Sequence, residues 1–357
     1  MSGEVTYGSG VHWLGQGTII VPRQSGFTLH AVNADDASWD NVKITVIEPG
    51  TVGAGASAIS WFSINDPDSQ HHVAVRNCTV RNSDWGIFVL YNNGRGSLDD
   101  VQIAGNTVTS DAIYTNGDGI HVAGRVTGVS IHDNLIVNRG DAGIGLTSEA
   151  SGGVYVLSGA RVWNNTLTND LVGLDDSGAT NVEWTGNTVK ATVPRKGAQN
   201  PAFRQIWYGG TYPVGVRTTQ NFLESGDNGG VSPAAKIDPK VAGQNSWPDV
   251  HSSFEDNTID GPNAPFYVRG RGIAVSGNTF ARGGTVTIDY DGAGGIASED
   301  ITIGQNTWEA PGSLAAGAGC ALYKNVRVAP QVSRGKLTYP NRGCLTGKRE
   351  RITTTSR

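Results

Sequence analysis

The chain is poor in sulfur and in charge. Its 357 residues include 3 Cys and 1 Met, and charged residues make up 17%. So few cysteines exclude a disulfide-dense scaffold. Cys320 and Cys344, near the carboxyl terminus, could form one bridge, which would suit an exported protein, whereas Cys78 sits in a strand pattern and reads as a small buried hydrophobe. Long apolar runs are missing too. The longest, such as Thr18 to Val21 and Ile87 to Leu90, fall far short of the ~18 to 20 residues of a membrane helix, so no membrane partner is expected. The start Met-Ser-Gly-Glu-Val has neither a basic end nor an apolar stretch, so no signal peptide is expected there. Nor is there an excess of positive charge: 27 basic residues against 32 acidic ones give a net −5, which speaks against nucleic acid as a partner.

What the chain has is glycine, 50 residues of it, without the Gly-X-Y period of collagen. Trp, Tyr, Val and Ile are too frequent for a disordered chain. The length suits one long repeat domain with a continuous core. A short pattern, Val-x-Ile-x-x-Asn-x-apolar, recurs along it. It runs through Asn77, Asn106, Asn134, Asn165 and Asn187, then Asn257, Asn278 and Asn306. Steps of 20 to 30 residues with alternating β-branched positions are the signature of a solenoid of stacked strands. No helix-period apolar face lies between copies, so helical and leucine-rich solenoids fit poorly.

The reading is an all-β chain folded as a right-handed parallel β-helix. Each coil supplies two or three strands, with odd positions inward and even positions outward. The repeated Asn falls at a bend, where it is expected to adopt a left-handed conformation and to pair with the Asn one coil away. A single domain is expected over residues 1–346, with a frayed tail at 347–357. The 70-residue step from Asn187 to Asn257 is read as a long loop insertion at about 190–250, rich in aromatics such as Trp207, Tyr208 and Tyr212.

After each Asn bend, a second strand aligns on a Gly-Ile or Gly-Leu pair. The copies are Asp84-Trp-Gly86-Ile87, Gly117-Asp118-Gly119-Ile120-His121, Asp141-Ala-Gly143-Ile144 and Leu171-Val-Gly173-Leu174-Asp175-Asp176. By alternation the four glycines are expected to face outward as a bare trough beside a core column of Ile87, Ile120, Ile144 and Leu174. Asp84, Asp118, Asp141, Asp175, Asp176, His121 and Arg139 would surround it. Asp is depleted in strands, so acids on four coils in a row need a cause. Adjacent coils are ~4.8 Å apart, so carboxylates on neighbouring coils become a pair. Glycoside hydrolysis needs such a pair at ~5 to 5.5 Å for retention or ~6.5 to 9.5 Å for inversion. Asp118 and Asp141 are offset by one position along the strand, which favours inversion.

The repeat, together with Asn116-Gly-Asp118-Gly-Ile120, resembles the pectin-lyase-like β-helix superfamily of polysaccharide-degrading enzymes, polygalacturonases and α-1,3-glucanases among them. Asn116-Gly-Asp118-Gly119 matches the polygalacturonase element Asn-Thr-Asp-Gly except that Gly117 replaces Thr. Arg139-Gly-Asp141-Ala142 matches the following Asp-Asp element in part, Ala142 standing where the second acid belongs, and no Gly-His-Gly follows. The resemblance implies that Asp118 and Asp141 are catalytic acids of a secreted enzyme with a polysaccharide or oligosaccharide substrate.

The leading expectation is therefore a monomeric glycoside hydrolase without a cofactor or metal. Asp141 would be the general acid, and Asp118, with Asp175 or Asp176, would activate water. Asp84, His121, Arg139, Trp207, Tyr208 and Tyr212 would bind substrate. One alternative is a polysaccharide lyase in which the acids hold Ca2+ and Arg125, Arg139 or Lys190 serves as base. Another is a non-catalytic carbohydrate-binding or tail-fibre-like solenoid.

Overall fold

The structure, a computed structural model, describes residues 5–340 apart from 49–55, 64–67, 93–94, 114–116, 150–153, 155, 193–199, 227–232, 240–245, 263, 290–295, 297 and 317–322. Asn116, Cys320, Cys344 and the expected frayed tail lie outside the described residues. Every strand among the described residues belongs to one of three parallel sheets, of 13, 13 and 12 strands, and the chain visits the three in turn on each coil. This is the right-handed parallel β-helix expected from the repeat. No helix of the described residues is long and apolar enough to cross a membrane.

The strands form where β-branched and aromatic residues alternate with polar ones, and the register is set by which of them can be buried. On the second sheet Val73, Val101 and Val129 are consecutive partners, as are Val75, Ile103 and Ile131. On the first, Ile59, Ile87, Ile120, Ile144, Leu174 and Phe203 form one inward column. On the third, Val80, Val108, Ile136, Leu167 and Val189 do the same. All these side chains belong to one core cluster, and each is worth about 1.5–3 kcal/mol of apolar burial. A one-residue slip would turn a whole column to water, so each coil locks the next.

At the bend between the second and third sheets runs a buried asparagine ladder. The Nδ2 of Asn106 donates to Oδ1 of Asn134, and the pattern continues through Asn165, Asn187, Asn221, Asn257, Asn278 and Asn306 at 2.9–3.0 Å. It ends on Gln331. Three details differ from the sequence reading. The left-handed residue is the one before the ladder, including Gly105, Asp133, Asn164, Gly186, Gln220, Asp256 and Gly277, because the ladder amide itself must point inward. The first rung is not Asn77, which takes the left-handed position; Cys78 sits level with the ladder and its N–H donates to Asn106. And the 70-residue step is not one long insertion. It holds two further coils, with strands Phe203–Ile206, Arg217–Thr219, Phe222–Ser225 and Ala235–Asp238, and Asn221 supplies the missing rung.

Candidate active site

Outward positions of the first sheet also form a continuous column. Its members are His30, Ser60, Phe88, His121, Gly145, Asp175, Arg204, Lys236 and Tyr267, one per coil. The site is built on this column where the glycine interrupts it. A Cβ at Gly145 would lie 2.7 Å from Oδ2 of Asp118 and 3.0 Å from Nδ1 of His121, so only glycine leaves room for that pair.

Asp118 enters the first sheet one coil earlier, level with Ala142. Its Oδ1 accepts from the Ala142 N–H at 2.9 Å, and its Oδ2 accepts from Nδ1 of His121 at 2.5 Å. Burial opposes protonation of His121, but the Asp118 hydrogen bond and charge, with Asp175 and Glu149, outweigh it and raise its pKa. Asp141 stands one position before Ala142, which is the offset expected from the sequence. Partial burial, then the neighbouring charges of Asp118 and Asp175, push its carboxyl up to about 7, against the opposing pull of Arg204 and His121. Asp175 follows on the next coil, held through both oxygens by Nε and Nη2 of Arg204 at 2.7 and 2.6 Å. Three carboxyls from three successive coils thus meet on one outer face, one of them inclined to keep its proton at neutral pH and the others tied to cationic partners.

Several of the expected site residues are elsewhere. The glycine column faces inward. A Cβ on Gly86, Gly119, Gly143 or Gly173 would meet Val108, Ile136, Leu167 or Val189 of the third sheet at 2.3–2.5 Å, so these glycines allow the two sheets to close at a corner rather than opening a trough. Asp176 points into the core beside Leu146, fully buried, accepting from Ala179 N–H at 3.1 Å and Trp184 Nε1 at 3.4 Å. It cannot meet a substrate. Arg139 is likewise buried: its Nη1 donates to Ser110 Oγ, and its Nη2 to the backbone carbonyls of Ser83, Asp84 and Asp118. It clasps the coils that carry the acids. Asp84 is 2% exposed, its N–H held by Gln24 and its carbonyl by Arg139. Tyr212 packs on the core and Trp207 is half-buried with its indole nitrogen enclosed. Tyr208, 46% exposed, stays at the rim, where its hydroxyl is raised by partial burial and then by Glu149 and Asp175.

Arg204 and Glu149 were missed. Arg204 follows Phe203, and reading Phe203 as the successor of Leu174 in the core column would have found it. Glu149 follows Ser148, past the end of its strand, where alternation gives no guidance. Missed too was an aromatic strip on the same face. Trp85 and Phe88 stack at 4.7 Å, and both stand edge-on to His121 at 5.0 Å. Phe88 meets Phe62 edge-on, and Phe62 meets Phe27 and His30 edge-on, each at 4.9 Å.

No protein-family model matches the chain, and no curated protein matches it in sequence. Among solved structures it is similar to the catalytic unit of a thermostable GH87 α-1,3-glucanase from Streptomyces thermodiastaticus strain HF3-3. That likeness has 14% identity and a TM-score of 0.43 over 95% of this chain and 62% of the other. It is also similar to a GH87 α-1,3-glucanase catalytic domain in complex with tetrasaccharides, at 14% identity and a TM-score of 0.32 over 99% and 64%. The chain spans just under two thirds of the length of either.

Proposed function

We propose that this protein is a glycoside hydrolase acting on a polysaccharide with Asp141 as general acid and Asp118 as general base. The observation that carries this reading is the convergence of Asp118, Asp141 and Asp175 on one outward face, with the Asp141 carboxyl raised to about 7. Carboxyls whose environments drive their proton affinities apart are the acid and base that glycoside hydrolysis needs. Asp141 gives its proton to the glycosidic oxygen as the bond to the anomeric carbon breaks. Asp118, its carboxylate aligned by Ala142 N–H and His121, takes a proton from the water that attacks that carbon. Beside Asp141 stands the Asp175–Arg204 ion pair, in which Asp175 opposes ionisation of Asp141 and Arg204 favours it. The one-position offset between Asp118 and Asp141 favours inversion.

The lyase alternative needs a cation to neutralise a uronate and a basic side chain. Against Ca2+ at these acids, Arg204 already pairs with both oxygens of Asp175, and Asp118 already accepts from Ala142 N–H and His121 Nδ1. Among the described residues no three His, Cys, Asp or Glu side chains are grouped to hold a metal ion. The bases expected for it do not reach the site either. Arg139 is buried, Arg125 donates to the carbonyls of Arg95 and Gly96, and Lys190 lies on the third sheet. The test is release of reducing ends from a panel of polysaccharides, α-1,3-glucan among them, by the wild-type chain and by Asp118→Asn and Asp141→Asn. Loss in both variants with unchanged circular dichroism supports the roles, and undiminished cleavage by either removes that residue from the reaction.

A further inference from the structure

We propose that the aromatic strip on the amino-terminal side of the acids binds successive rings of an uncharged polysaccharide laid along the solenoid axis. This rests on the reading of the acids as a glycosidase site and extends it to the class of substrate.

The strip occupies outward positions of the first sheet, where one face meets water and polar side chains are the rule. Phe27, Phe62, Trp85 and Phe88 are all half-buried and none belongs to the core cluster. The core does not account for these rings, and an apolar strip left half-open on an outer face is a surface on which a ligand can rest. The rings belong to successive coils. His30, Ser60, Phe88 and His121 are consecutive partners, with Phe62 two residues along from Ser60. Three steps of ~4.8 Å span ~14 Å along the axis, which suits an extended chain of sugar rings rather than a single one. Aromatic faces offer such rings a large apolar contact at little cost in side-chain entropy.

The strip also runs into the chemistry. Trp85 and Phe88 both abut His121, the side chain that holds Asp118. A ring seated on Phe88 would place its next linkage towards Asp118 and Asp141. The charge pattern then selects the substrate. The outward column from Thr6 through His30, Ser60, Phe88, His121 and Gly145 to Asp175 contains no Lys or Arg. Arg204, the first cation beyond it, is already paired with Asp175. A polyuronate seated on the strip would find no Lys or Arg along this column to receive its carboxylates, whereas a neutral glycan needs none.

The test is binding, measured by calorimetry on full-length Asp141→Asn protein. The probes are α-1,3-, β-1,3- and β-1,4-linked gluco-oligosaccharides of two to six units, and oligogalacturonides of the same lengths. At least one neutral series is expected to bind, with affinity rising as units are added, and the oligogalacturonides are expected not to bind. Phe88→Ala should weaken binding at every length by tenfold or more. Phe62→Ala, one coil further from the acids, should weaken only the longer members. Such dependence on ligand length would not arise from a mere packing defect, and it keeps the test open should Phe88→Ala not fold. Trp163→Ala, on the second sheet, should bind as the parent does. Equal binding of oligogalacturonides, no binding of any neutral series, or affinities unchanged in both Phe variants would overturn the proposal. Because binding is read without turnover, these outcomes are separate from the cleavage assay that tests Asp118 and Asp141.

Discussion

Asp141→Asn should destroy activity and yet stabilise the protein above neutral pH. The Asp141 carboxyl is raised from 3.8 to about 7 in the folded chain, chiefly by burial and then by Asp118 and Asp175. A raised carboxyl favours the folded state while it is protonated and opposes it once ionised. The sign therefore runs against the usual carboxylate: stability falls as pH rises from about 4 through about 7, and the full cost is present above that. Three pK units correspond to about 4 kcal/mol as an upper bound, and solvent screening of a half-buried group reduces this to about 1–2 kcal/mol. Asparagine carries no charge, so urea unfolding at pH 8 should show the variant more stable than wild type by that amount, with the difference nearly gone at pH 4. In the same protein kcat should fall by about 10²- to 10⁴-fold, the usual contribution of a positioned proton donor. The wild-type enzyme should lose kcat/KM as pH rises through about 7, when Asp141 gives up its proton. A variant that is less stable at pH 8, or a wild-type activity flat from pH 6 to 9, would refute the assignment of the acid.

Two further substitutions separate site from scaffold. Gly145→Ala puts a methyl group 2.7 Å from Asp118 Oδ2 and 3.0 Å from His121 Nδ1, so it should cut activity about 10- to 100-fold while far-ultraviolet circular dichroism stays the same. Normal activity would mean that the Asp118–His121 pair does not matter. Asp176→Asn should leave kcat within about twofold, because that carboxyl faces the core, where burial pushes its pKa well up and Trp184 and Ala179 donate to it. A tenfold loss would return Asp176 to the reaction.

The repeat was legible because its cause is local. A β-branched residue at every second position and a ladder Asn every coil are printed in the chain, and they suffice for a parallel solenoid of two or three strands per coil; the structure fixes three sheets. The error over 190–250 was also local. There the rung reads Thr218-Thr-Gln-Asn221-Phe-Leu223, with Thr218 buried where other coils place Val, Ile, Trp or Phe, and so the pattern was passed over. Asp118, Asp141 and Asp175 could be named as candidates because acids in or just before the strands of successive coils are anomalous, and His121 because it follows Asp118 closely on the same coil.

Orientation was another matter. Period two states that neighbouring residues face opposite ways but not which way, and near a corner the backbone turn resets it. Gly119 and Ile120 are adjacent in the chain and both lie inside, since Gly119 sits at the corner against Ile136 while Ile120 begins the strand. Arg139 reads as an exposed cation in sequence and becomes a buried clasp only because two other coils bring carbonyls to it. Sequence alone thus determined the coil, its core columns and the acids it carries, all set by contacts that recur at a fixed period. Which carboxyl keeps a proton, which cation neutralises which acid, and that aromatic rings from successive coils line up beside them were decided by stacking, because charge and ring contacts depend on neighbours about 30 residues away in the chain.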